Sequence, residues 1–325
     1  MRALLFGLLF ASLLRAAPAP SYRVVAHYPL DASVRCAAVA LDAAGRRLYA
    51  AQGDRIEILD ADTGAKRGAI AATPGVRAFA LVPALGRGFA AEGTANQVAA
   101  FDLATGAVAW TAPSGGREPA ALWYDPEVRR LFVANRVSGD LGAIDPASGQ
   151  SGAVIPLGGK LGGVVGNGYG TLFVAAEDRN VLHVVDTHAM AAEGDDPVAP
   201  GVGPFGLAMD PAGRRVFVSC ANGRMPIVDA DAGFVFQVLP IGSGRAQVVF
   251  DKSKQPNPDG GPPWKARILT ASDGGILSAL RMDAFIHYSF HDDTAIPSGA
   301  RGLAFDPKTG RAFVALPHEI LVLGR

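Results

Sequence analysis

Residues 203–233, GPFGLAMDPAGRRVFVSCANGRMPIVDADAG, divide into three short apolar runs separated by turns. The runs are GLAMD, RRVFVSC and MPIVDAD, and the first turn is built on Asp210, Pro211 and Gly213. Short runs rich in Val, Phe and Ile and bounded by Gly, Pro and Asp are the pattern of β-strands. Asp begins such a turn by accepting backbone N–H groups ahead of it, and Gly takes the positive φ that follows.

The unit recurs. Equivalents of Asp210 are Asp42 in VALDAAGRRLYAA, Pro83 in ALVPALGRGFAA, Asp125 in LWYDPEVRRLFVA, Asn167 in VVGNGYGTLFVA, Asp251 in VVFDKSKQ and Asp306 in LAFDPKTGRAFVA. The successive spacings are 41, 42, 42, 43, 41 and 55 residues. Seven anchors at this period, each followed by strand patterns and not by helical ones, predict an all-β fold: a seven-bladed β-propeller with four-stranded antiparallel blades.

Third strands are expected to end on acidic turns at LDADTG (59–64), FDLATG (101–106), IDPASG (144–149), VDTHAM (185–190), VDADAG (228–233) and RMDAF (281–285). The fourth strands are then AKRGAIAA, AVAWTA, SGAVIPL, DPVAP, FVFQVLPI and FIHYSFH. The last copy stops at EILVLGR, its third strand, and residues 22–30 (YRVVAHYPL) belong to no complete copy. Placed beside Leu321–Leu323, they would complete the seventh blade, close the ring and remove two open sheet edges. Two insertions break the period: 252–267, with four prolines, and 188–197, HAMAAEGDDP, expected to be a solvated acidic loop.

The innermost strands carry mostly small residues four before the anchor (Ala38, Phe79, Ala121, Gly163, Gly206, Gln247, Gly302). One position later they are mostly larger (Val39, Ala80, Leu122, Val164, Leu207, Val248, Leu303). Alternate residues of a strand face opposite ways, so each blade offers a small face and a large face where blades converge.

Residues 1–20 have a different character: Arg2, an apolar run over 3–14, then Ala16, Ala17, Pro18, Ala19 and Pro20. This order is that of an export signal, which places the product in the periplasm or outside the cell, with an uncleaved anchor as the alternative. The run is too short to span a bilayer comfortably. Residues 21–325 are expected to form one propeller domain, monomeric and without stable membrane insertion. A formal net charge of zero gives no global field for nucleic acid or anionic lipid. Cys36 and Cys220 fall in different copies and are expected to be buried thiols.

The units D-P-x-G-R-x-[LVF]-[FY]-V-[AS] and V-x-D-x-x-[TS]-G, over residues 22–325, resemble the YVTN-repeat, YncE-like family of bacterial seven-bladed propellers. The copies depart from the family motif, reading LYAAQ, GFAAE, LFVAN, LFVAA and VFVSC, and Asn135 and Asn222 alone match its terminal Asn. The resemblance implies an exported binding or scaffold protein; some members bind DNA, and relatives form subunits of quinoprotein dehydrogenases. The shared motifs are structural, so no functional residue is carried over.

Ligands of propellers meet the mouth of the central channel. Six copies place a basic residue just before the inner strand: Arg35, Arg77, Arg117, Lys160, Arg245 and Arg301; the fifth has Gly203 and Pro204 instead. Converging cations would bind an anion, and Arg grips carboxylate or phosphate with two parallel bonds. Alternatively the rim neutralises itself through Glu118, Asp54, Glu92, Glu177, Asp178, Asp273 and Glu319. Trp264 is either a partner-binding anchor or a side chain folded against its own blade. His287 and His291, four apart on a strand, are about 13 Å apart and too distant for one ion, and the sequence has no C-x-x-C-H, no G-x-S-x-G and no local nucleophile–base pair, so no metal, cofactor or catalytic residue is expected. The expected role is a binding or scaffold protein for an unknown protein or small anionic ligand. The alternatives are a lactonase-like hydrolase with an arginine-rich mouth and a nucleic-acid-binding relative.

Overall fold

The computed structural model describes residues 21–253, 265–284 and 286–325. The expected export segment and Trp264 lie outside them. Seven four-stranded antiparallel sheets form a ring. Blades 1 to 5 comprise residues 36–71, 76–113, 119–156, 161–197 and 204–240, and blade 6 has its strands at 246–251, 266–272, 276–284 and 287–295. Blade 7 combines residues 302–324 with the strand Arg23–Pro29. That strand pairs with Glu319–Gly324, Val24 opposite Leu323 and Tyr28 opposite Ile320, which is the closure expected from residues 22–30. Among the described residues no helix is long and apolar enough to cross a membrane.

The anchors act as turn-makers. Asp210 Oδ1 accepts the N–H groups of Ala212 (3.1 Å) and Gly213 (3.0 Å), and Asp42 does the same for Ala44 and Gly45 at 3.1 and 2.9 Å. Asn167 substitutes its amide oxygen, accepting from Tyr169 and Thr171. Pro83 has no acceptor side chain; there the turn is a short 3₁₀ helix, Pro83–Leu85, stopped by Gly86 at φ 63°.

The aromatic of each second strand explains its recurrence. Tyr49, Phe89, Phe132, Phe173, Phe217 and Phe313 are all fully buried between blades, and Leu269 fills the place in blade 6. Burying each such ring stabilises the fold by about 1.5–3 kcal/mol. The small inner-strand residues allow neighbouring backbones to touch: a Cβ on Gly206 would lie 2.3 Å from Ala246 O, and one on Gly302 2.7 Å from Val39 N. Large-on-small packing near the axis is therefore enforced by backbone contact. Trp123 is half-buried between blades 3, 4 and 5, its indole over Gly166.

Blade 4 departs from the sequence expectation. Its outer strand is Ala191–Pro197, drawn from the segment expected to be a solvated insertion and including only the first two residues of DPVAP. Nearly every residue of that strand faces solvent, so no burial selects apolar residues and the usual alternation is absent. Polar contacts hold it in register: the Asp195 carboxylate lies 2.6 Å from Nδ1 of the buried His183, whose Nε2–H donates to Gly158 O at 3.0 Å. In blade 6, strand Ile276–Ala284 includes the first four residues of the RMDAF segment, and Asp283 pairs with Arg281 (2.8 Å) and His287 (3.5 Å). Cys36 and Cys220 are both buried, and burial pushes each thiol up to about 12.

Candidate functional site

Two kinds of loop meet at one end of the channel: those entering inner strands, and those between second and third strands. The first kind brings in Arg245 and Arg301, with Arg77 second on the inner strand Val76–Val82; the second brings in Arg136, just past strand Arg130–Asn135, and Glu177, just past Thr171–Ala176. Arg77, Arg136, Arg245 and Arg301 line one cavity of about 150 Å³ with Phe205, Gln247 and Asp273. Arg35, Arg117 and Lys160 are exposed and line none of the channel cavities described, because their loops reach the rim at different offsets. The sequence singled out six cations, of which three meet here.

Arg136 was not among those six, because it does not precede an inner strand. It is the most buried cation of the mouth, with 9% of its surface exposed. Its guanidinium pairs with Glu177 and donates to Leu161 O at 3.1 Å. Arg245 meets the other oxygen of the same carboxylate, at 2.6 and 2.8 Å. Burial raises the Glu177 pKa, but the hydrogen bonds from Arg245 and Arg136 and their charges outweigh it, holding the carboxyl below its ordinary range. The ring of Phe205 lies 5.8 Å from the Arg136 guanidinium and 5.7 Å from that of Arg245, adding cation–π attraction to both. Arg245 crosses over blade 5 to reach Glu177, and blade 5 is the copy with Gly203 and Pro204 in place of a cation.

Arg77 pairs with Glu118 at 3.2 Å, both groups partly exposed, which is worth at most about 1 kcal/mol. Arg301 differs. Its side chain is exposed in the cavity and has no hydrogen bond or ion pair among the described residues. Four guanidinium groups thus face three carboxylates, Glu118, Glu177 and Asp273. Of the three sequence-named cations at this mouth, Arg77 and Arg245 are paired with carboxylates and Arg301 is not.

The loop leading to the strand of Arg77 has a second peculiarity. In blade 1, Gln52 ends the second strand and its amide donates to Asp31 O and Val34 O at 3.1 and 3.0 Å, holding the loop that enters the blade. In blade 3, Asn135 donates likewise to Ser114 O at 3.1 Å. Blade 2 has Glu92 there, fully buried, with Oε2 accepting from Gln97 at 2.6 Å and Oε1 without a partner. Burial raises its pKa above the ordinary carboxyl value, against the Gln97 hydrogen bond. The unfolded chain therefore holds the Glu92 proton less tightly than the folded one. Its contribution to stability is complete below the unfolded pKa, about 4.3, and is lost as pH rises through the folded value. Glu92→Gln restores a donor and removes the ionisation. Its unfolding free energy should exceed that of the wild type by about 1–3 kcal/mol at neutral pH, with the gap closing in acid. Denaturant titrations across that range, giving parallel curves for the two proteins, would refute this account.

The geometry defines the class: a closed seven-bladed β-propeller with a cationic channel mouth. No protein-family model and no curated protein matches the sequence. Among solved structures the chain is similar to Kuenenia stuttgartiensis hydrazine synthase, at 14% identity and a TM-score of 0.68, over 88% of this chain and 95% of that one. At that identity the likeness is one of fold.

Proposed function

We propose that this protein is an exported, non-enzymatic propeller of the YVTN-repeat kind that binds an anionic ligand or an acidic partner group at the arginine mouth. The observation that carries this reading is Arg301, an exposed guanidinium in a cavity shared with Arg77, Arg136 and Arg245 and without a carboxylate of its own. Around it, Arg136, Glu177, Arg245 and Phe205 form a network that fixes the walls of the site. Preorganised walls lower the ordering cost of binding. The export segment of the sequence supports the location. A lactonase role finds less support: of the three carboxylates at this mouth, Glu118 and Glu177 are engaged by arginine, which leaves Asp273 alone and no acid–base pair among the described mouth residues.

Calorimetric titration with butanoate and with inorganic phosphate tests the reading. Arg301→Ala should weaken binding about tenfold or more, the loss of a charge-assisted contact. Arg35→Ala should leave it unchanged, and added salt should weaken the wild type. Equal affinity of Arg301→Ala and wild type would overturn the reading.

A further inference from the structure

The channel changes character along its length. Below the mouth, a cavity of about 200 Å³ is lined by all seven inner strands and shares Arg77, Phe205, Gln247 and Arg301 with the mouth. Its walls are otherwise small or apolar: Ala38, Ala120, Ala121, Gly162, Gly163 and Leu303 among them. A third cavity, of about 420 Å³, lies toward the anchor turns and shares Val164 and Leu207 with the second. Among the described residues no charged side chain lines it; its walls include Trp123, Val165, Met209, Val249 and Phe250. The three spaces follow one another along the inner strands. Strand Ala246–Asp251, with six residues, spans about 20 Å. One end is cationic and the other is greasy. Apolar cavities of this size favour apolar occupants over water.

We propose that the channel holds a single-chain amphiphilic anion, an alkyl carboxylate or alkyl phosphate, with its head at Arg301 and its chain running down to Trp123. This rests on the anion-binding reading and adds the ligand class. Arg301 and the Gln247 amide, which line both the mouth and the middle cavity, receive the head, and the small residues of the middle cavity admit a chain one methylene wide. Headgroup and chain then occupy opposite ends of a passage whose chemistry changes in the same direction.

The test is a series of linear carboxylates from butanoate to dodecanoate, titrated below their micelle concentrations, with tryptophan emission recorded. Affinity should rise with chain length, by up to about fourfold per methylene, and emission should change for long chains and not for short ones. Trp123→Phe should erase that change. Ala121→Phe, which lines the middle cavity and not the mouth, should keep butanoate binding and flatten the chain-length dependence. Dodecyl phosphate should bind as dodecanoate does, and neutral dodecanol weakly. Carboxylates that bind through Arg301 with no dependence on length would overturn the amphiphile and leave the anion-binding mouth standing. Absence of any carboxylate or phosphate binding would overturn both. Binding to phosphatidylglycerol vesicles without binding to monomers would assign the mouth to a membrane surface and also overturn the channel ligand. The wild-type series decides the question even if Ala121→Phe does not fold.

Discussion

Removal of residues 21–30 should leave a protein without a cooperative unfolding transition at ambient temperature. The segment contributes more than one strand of hydrogen bonds. Tyr22 is fully buried in the cluster that joins blades 6 and 7, and Tyr28 and Leu30 are buried in the cluster that joins blades 7 and 1. Losing the burial of these three side chains costs about 5–9 kcal/mol, against a net stability of about 5–15 kcal/mol for a typical domain. The deletion also exposes the edge of Glu319–Gly324, an invitation to intermolecular pairing. Milder changes should grade accordingly. Tyr22→Ala is expected to cost about 3–5 kcal/mol, in the range of large-to-small core changes. Circular dichroism and calorimetric melting of the truncated protein are the measurements; a transition at the wild-type temperature would show that closure does not support the ring.

The second large effect is expected at Arg267. It is 2% exposed and is the largest fully buried side chain described. Its Nε donates to Asp251 Oδ2 at 2.9 Å, its Nη1 to Tyr22 Oη at 2.6 Å, and its guanidinium lies 4.5 Å from the centre of the Phe305 ring. One side chain therefore ties the anchor turn of blade 6 to the inner strand of blade 7 and to the closing segment. Arg267→Ala leaves the Asp251 carboxylate buried without its cation, at a cost of about 3–5 kcal/mol. Arg267→Met with Asp251→Asn removes both charges and keeps the volume, so much of that loss should return. A double-mutant cycle in denaturant measures the coupling. Additive single effects would mean that the two charges are solvated separately, and the account of Arg267 would fail.

How much was legible beforehand depended on range. The blade repeat was legible because its turns are local: Asp210 and Gly213, or Asp60 and Thr63, sit three residues apart and hydrogen-bond across that distance. The outer strand of blade 4 was not legible, because Ala191–Pro197 is exposed and its placement comes from His183 on the neighbouring strand. At the mouth, the loop cations were visible as residue types, and two of their partners, Glu118 and Glu177, were among the acids named. Arg136 was missed, yet a signal existed. It stands 41 residues before Glu177, and Arg77 stands 41 before Glu118, one repeat in each case, which puts each pair on adjacent blades.

By itself the sequence determined the number of blades, the turn at each anchor and the need for residues 22–30 to complete the last sheet. These follow from a period of about 42 residues and from hydrogen bonds that close within a few residues. The tertiary structure alone decided which cations share a cavity, that Glu177 binds two of them and Arg301 has no carboxylate, and that the channel turns from charged to apolar along its axis. The reason is geometric. Strand order is written in local backbone preferences, whereas side chains 68 residues apart, such as Arg245 and Glu177, meet only after the ring has closed and fixed the tilt and offset of every loop.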